Sequence, residues 1–401
     1  MARIIPDVRV TPDITTVNQN LGLLAELAGT WRGKGFNLIA RPDFQGDAPL
    51  YLQLNQTTET LAIEAIGSAI PNRGFGQDDM ELFGLTYLQK ISDAANDGAL
   101  HIEPGIWVTQ PETAYPPQTP PPGGQIVARM ATIPHGNSVL AQGGATPFNG
   151  PPVLAGNGQT YAGSVFPSFN STPFGIPPAA TSGTPPPPFK INAAGSSEEL
   201  TAPALVPPAK PFPEYNLLNP ASALNPRTPF GTSPAEPPLP VSIDGVAMQD
   251  VVNDPILILQ AVIQEQVNQG HTFEGVALNV ATQPSVTFLT QVNDPTGPSV
   301  PVPITDGNGG IENILFLDGG NPAGAVGPNA FTSLVYATFW IEKVMHPGQP
   351  TFMQLQYAQM TILNFGILNV TKVPPTPPGA AAAPILGWPH ISVATLRKSF
   401  L

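Results

Sequence analysis

Residues 24–36 read LAELAGTWRGKGF, and the change of period inside this stretch, from helical to stranded, decides the fold. Upstream, residues 13–28 (DITTVNQNLGLLAELA) space Leu21, Leu24, Ala25 and Leu27 as one helix face would, with Asp13 or Thr15 as candidate caps. Downstream, Gly29, Trp31, Gly33 and Gly35 alternate along a strand. Two of these glycines allow strong bending, and Trp31 is placed to plug the end of a closed barrel.

Period two continues outward from this point. TETLAIEAIG (58–67), LFGLTYLQKI (82–91), ALHIEPGIWV (99–108) and GQIVARMATI (124–133) each alternate or run apolar between turn residues, as strands of a meander do. After SVLAQGG (138–144) the chain turns dense in Pro, Gly, Ser, Thr and Ala over 145–240, including TPPPPF and PAEPPLP. So few apolar side chains cannot build a separate core, and two readings stand: a disordered linker, or an extended arm that wraps the barrel or a second copy. A helix signal returns at 254–268 (DPILILQAVIQEQVN), with Asp254 as cap, Pro255 at the first position and Ile256, Leu259, Ile263 and Val267 on one face. This helix is expected to pack on the barrel as a lid. SLVYATFWIEKV (333–344), FMQLQYAQMTILNF (352–365) and HISVATLRK (390–398) are strands again.

Strands, a long irregular insertion, then strands describe one barrel closed by both chain ends, because closure removes exposed sheet edges. The expected division is 1–144 for the first part of the barrel, 145–330 for the insertion with its helix, and 331–401 for the closing strands. The expected fold is all-β, a calycin- or lipocalin-like closed antiparallel barrel of roughly eight to ten strands with a few short helices.

Composition agrees and excludes several functions. The 52 Pro and 39 Gly leave little room for long helices. A formal charge of −13 repels phosphate backbones and anionic lipid heads, which argues against nucleic-acid and membrane-surface partners. With no cysteine, disulfides, thiolate metal sites and Cys nucleophiles are excluded. Met1 to Pro6 begin no apolar run of signal-peptide length, so the expected location is the cytoplasm. GxGxxG after a strand, GxxxxGK[ST], GxSxG and HExxH are all missing, which removes the usual anchors of nucleotide, hydrolase and zinc-protease chemistry. Glu59 and Glu64 fall on opposite faces of one strand and cannot act as a carboxylate pair.

Three stretches together resemble the nitrobindin family of haem-binding calycin barrels: LAELAGTWRGKGF (24–36), LHIEPGIW (100–107) and PHISVATLRK (389–398). In the second, Leu100, His101, Glu103 and Gly105 match, whereas Ile106-Trp107-Val108 replace the family's closing aromatic-Leu-Arg. In the third, Ala394, Leu396 and Lys398 match, and His390 lies one position further from the alanine than the family pattern. By parity His390 shares a face with Ser392, Ala394 and Leu396. The resemblance implies haem b inside the barrel with His390 as iron ligand, and Trp31, His101 and His135 around the cofactor. It further implies reaction with nitric oxide, peroxynitrite or peroxide at ferric haem. From the residues alone, His101 is also read as bonding Glu103 two positions on, and His135 as a solvated turn residue. His271 and His346 sit in loops without a partner at metal-ligand spacing. Whether the chain is an enzyme stays open. The alternatives are a non-enzymatic carrier of a small apolar ligand such as a lipid, pigment or isoprenoid, and a structural protein that assembles into homo-oligomers through the Pro-rich segment.

Overall fold

The computed structural model describes residues 13–43, 48–74, 78–110, 113–114, 117–118, 120, 123–133, 136–152, 154, 174–175, 189–191, 197–199, 240–282, 288–292, 300–304, 310–313, 331–366 and 385–399. Ten long strands form the barrel: β1 (Gly29–Asp43), β2 (Ala48–Ala65), β3 (Met80–Asp93), β4 (Ala99–Gln110), β5 (Gln125–Ile133), β6 (Asn137–Asn149), β7 (Thr272–Ala281), β8 (Phe331–Met345), β9 (Phe352–Gly366) and β10 (Ile385–Ser399). Each pairs antiparallel with the next, and β10 pairs with β1 from Thr30↔Ser399 to Ile39↔His390. The sheet is therefore closed, and the two chain ends meet in one barrel as the order of segments predicts. Short strands Ile70–Asn72, Gly310–Asn313 and Phe174–Gly175 add to β3, β6 and β10. Most of 145–240 lies outside the described residues, and so does the choice between its two readings.

Within the stretch read as insertion, the sequence pattern and the structure part company most at one long strand. Thr272–Ala281 falls within the stretch read as insertion, yet as β7 it bridges β6 and β8 and completes the wall.

Before β1, α1 (Ile14–Leu21) starts where Asp13 accepts from Thr16 N at 3.0 Å, and it passes into a 3-10 turn at Gly22–Leu27. Leu21, Leu24 and Leu27 cap one end of the barrel over Trp31. The indole N–H of Trp31 donates to Leu27 O at 2.7 Å, so the plug is bonded in place as well as packed.

The insertion's helical signal becomes α2 (Met248–Asn253) and α3 (Leu257–Asn268). Asp254 does not cap α3; it ends α2. The buried face of α3 is Ile258, Leu259, Ile263 and Gln266, while Val267 is exposed. Nor is α3 a lid over the barrel mouth. Gln356 donates to Leu259 O at 3.2 Å and Gln354 exchanges hydrogen bonds with Gln266, and both glutamines point outward from β9. The helix lies on the outer wall.

Candidate functional site

Strand registers decide which side chains enter the lumen. Trp31, Gly33, Gly35, Asn37 and Ile39 share the inner face of β1, opposite Leu61, Glu59, Thr57, Asn55 and Gln53 of β2 and opposite Lys398, Leu396, Ala394, Ser392 and His390 of β10. From Trp31 at the plugged end to His390 is eight residues, or about 26 Å of strand. Between them the lumen is polar.

Two clusters make up this polar layer. In the first, Glu59 is buried and accepts from Tyr357 Oη at 2.6 Å, Thr57 Oγ1 at 2.9 Å and Gln89 Nε2 at 3.4 Å. Burial pushes the Glu59 carboxyl above its ordinary range, and these neutral donors offset only part of that. Burial and the neighbouring Glu59 likewise raise the Tyr357 phenol. In the second cluster Arg129, buried on β5, pairs with Glu103, which also accepts from Tyr87 Oη and lies 3.2 Å from His101 Nε2. Arg129 donates further to Tyr87 Oη at 2.9 Å and to Gln359 Oε1 at 2.6 Å. Its guanidinium stands over the rings of Phe339, Tyr87 and Trp107 at 5.2, 5.7 and 5.9 Å, which adds cation–π attraction in a site shielded from water. Burial alone would raise the Glu103 carboxyl, but the Arg129 charge outweighs it and holds it at about 2. Gln89 joins the clusters, since it stands beside Glu103 in the β3–β4 register and donates to both Glu59 and Tyr357.

Glycines make this packing possible. A Cβ on Gly35 would meet Val393 O, with Glu59 Oε1 at 2.7 Å and Thr57 Oγ1 at 2.8 Å; a Cβ on Gly105 would meet the Tyr87 ring and Met130 O. Each cluster rests against one bare backbone position.

Beyond this layer, Asn37 Nδ2–H donates to His390 Nε2 at 3.0 Å and to Ser392 Oγ at 2.7 Å, while Asn37 Oδ1 is buried without a hydrogen-bond partner. Because Nε2 accepts here, the ring proton belongs on Nδ1 and the lone pair on Nε2. His390 is half-buried on the lumen face, as its parity predicts. Trp31 is wholly buried in the apolar plug, eight residues away along β1. His101 belongs to the second cluster through Glu103, which is the bond expected from its sequence spacing. His135 lies outside the described residues. The structure thus brings none of Trp31, His101 and His390 into mutual contact through the bonds above. Sequence reading missed Arg129, Tyr87, Gln89, Gln359 and Tyr357, although their parity on period-two strands was available.

The opposite wall of the lumen is small and apolar, built from Ala131, Val139, Ala141, Val280, Val335 and Ala337, all buried. A separate hollow of about 740 Å³ opens on the outer wall over Pro104, Ile106, Met130 and Leu140. Its lining also includes Tyr87, Gly105, Ala131 and Val139, residues of the same stretch of wall. Among the described residues no helix is long and apolar enough to cross a membrane, and no group of three or more His, Cys, Asp or Glu could hold a metal ion.

No family model and no curated protein sequence matches the chain. Among solved structures, a crystal structure of Rv2717c from M. tuberculosis superimposes over 95% of this chain and 98% of its own, with 10% identity and a TM-score of 0.31. At that score the overlap leaves fold and ligand to be argued from this chain's own residues. Those residues define a closed ten-strand antiparallel barrel of a form suited to ligand binding.

Proposed function

We propose that the protein binds a small, largely apolar ligand in the part of the lumen beyond the polar layer, and that this ligand is haem b held by His390. The observation that carries the reading is the His390 imidazole: half-buried, on the lumen face, far from the Trp31 plug, with its lone pair on Nε2. A single neutral imidazole is a common axial ligand for haem iron. Asn37 would have to release Nε2 for a ligand to meet it, and the small apolar wall from β5 to β8 supplies the surface against which an apolar ring system rests. When bound, ferric haem would supply an iron that takes up nitric oxide, peroxynitrite or peroxide. The chain's own contribution is to present the imidazole on the lumen face of β10 beside the small apolar wall.

The small apolar wall equally favours a carrier of a lipid, pigment or isoprenoid without a metal. Hemin titration separates the two. A sharp Soret band at one haem per chain is expected, lost in His390→Ala and strengthened in Asn37→Ala, where Nε2 is released. A native chain without the band, or a band indifferent to His390→Ala, sinks the haem reading; saturable uptake of a fluorescent fatty acid by the same chain would then speak for the carrier.

A further inference from the structure

The loops flanking β7 and β8 bring together two histidines that are 75 positions apart in sequence and that have no partner at metal-ligand spacing in either loop. His271 immediately precedes β7 and His346 immediately follows β8; Thr272↔Met345 is the terminal pair of those strands, so both rings sit at the same rim. Their centroids are 5.1 Å apart with planes at 54°. Both are half-buried.

Each ring is fixed through the same nitrogen. His271 Nδ1 lies 3.1 Å from Gln266 O in the last turn of α3, and His346 Nδ1 lies 2.9 Å from Pro347 O. A carbonyl only accepts, so each Nδ1 carries the proton and each Nε2 keeps its lone pair. Metal-bound histidines are prepared in this way, with the second nitrogen tied to a backbone carbonyl that sets tautomer and ring orientation. The spacing agrees as well: two Nε2 atoms at about 2.1 Å from one ion at a roughly tetrahedral angle place the ring centroids about 5 Å apart.

We propose that His271 and His346 form a two-histidine site for a divalent transition cation of the zinc–copper class, distinct from the lumen. Imidazole nitrogens without thiolate select this class over calcium or magnesium. Water completes the coordination, which makes the site exchangeable rather than structural. Charged and titratable groups near it are Arg397, stacked over Phe352 at 4.2 Å while Phe352 in turn meets the His271 ring at 6.2 Å, and Glu342, buried on β8, which accepts from Gln354, itself bonded to Gln266; the Glu274–Lys343 pair of β7 and β8 lies on the other face of those strands. An ion held here would staple the end of α3, through Gln266 O and His271, to the β7–β8 rim.

The test is calorimetric titration of the intact chain with Zn2+. One ion per chain is expected. His271→Ala and His346→Ala should each weaken binding at least tenfold, whereas His101→Ala and His390→Ala should leave it unchanged. As a measurement that needs no variant, Zn2+ should shift the ring resonances of His271 and His346 in the native chain. Zn2+ binding that survives in the double variant, that follows His390 instead, or that leaves both rings unshifted overturns the proposal.

Discussion

Glu59 on β2 and Glu103 on β4 are both buried acids in one lumen, and their surroundings drive them in opposite directions. Glu103 has a guanidinium against it and stays ionised to about pH 2. Glu59 has a phenol, a hydroxyl and an amide, and burial pushes its carboxyl upward. The difference teaches that depth alone does not set the charge of a buried carboxylate; the sign of what it faces does. It also gives the lumen one fixed ion pair and one proton-accepting group within the same polar layer.

The largest effect expected from disturbing this contrast is the removal of Arg129. Arg129→Leu would strand the Glu103 charge in the barrel, and losing one partner of a buried pair costs about 3–5 kcal/mol. Urea denaturation measures it. Adding Glu103→Gln to Arg129→Leu should recover much of that loss, because the uncompensated charge is then gone; a double variant as unstable as Arg129→Leu would mean that packing against Phe339, Tyr87 and Trp107 matters more than charge.

How far the sequence disclosed this arrangement can be followed residue by residue. The closed end was legible, because Leu21, Leu24, Leu27 and Trp31 are apolar at helical and strand spacing and Asp13 is a good cap. The meeting of both chain ends was legible from the order of strand-rich segments. The lumen was not, for a physical reason: period two tells that faces alternate but not which face is inside. On β1 the outward Phe36 and Leu38 are buried, while the inward face carries two glycines and Asn37; on β9 the outward Ala358 and Met360 are buried, while Tyr357 and Gln359 face in. Apolar-in, polar-out therefore misassigns the walls at mid-depth. β7 escaped notice for a related reason, since Val276 to Ala281 are buried on both faces and show no alternation. The proximity of His271 to His346 depends on the β7–β8 register, which becomes visible only once β7 is recognised as a barrel strand.

A smaller effect is expected at the two glycines on which the clusters rest. Gly105→Ala forces the Tyr87 ring away from Arg129 and Glu103, and Gly35→Ala presses on Glu59 and Thr57, so overpacking of about 1–3 kcal/mol is expected at each. The comparison sharpens if only Gly105→Ala loses additional stability when Arg129 is also present to be displaced. Measured in the Arg129→Leu background, Gly105→Ala should cost less than in the native chain, and Gly35→Ala should cost the same. Equal costs for Gly105→Ala in both backgrounds would disconnect this glycine from the ion pair.

The smallest effect, and the one that reads the contrast most directly, is the pH dependence of Glu59→Gln. The native state holds the Glu59 proton more tightly than the unfolded chain, whose carboxyl has its ordinary value of 4.5. Its stability contribution is therefore complete below about that pH and declines as pH rises through the raised native value. Glu103 runs the other way: its contribution is present above its ordinary 4.5 and is lost as pH falls toward about 2. Glu59→Gln, neutral at every pH, should consequently melt above the native protein at pH 7 and converge with it near pH 4. Glu103→Gln should melt below it at pH 7, because the charge that faces Arg129 is gone. Thermal melts at those two pH values decide the matter: a Glu59→Gln that melts lower than the native chain at pH 7 would mean that the three donors around Glu59 favour its charged form more than burial opposes it, and the two carboxylates would then be alike.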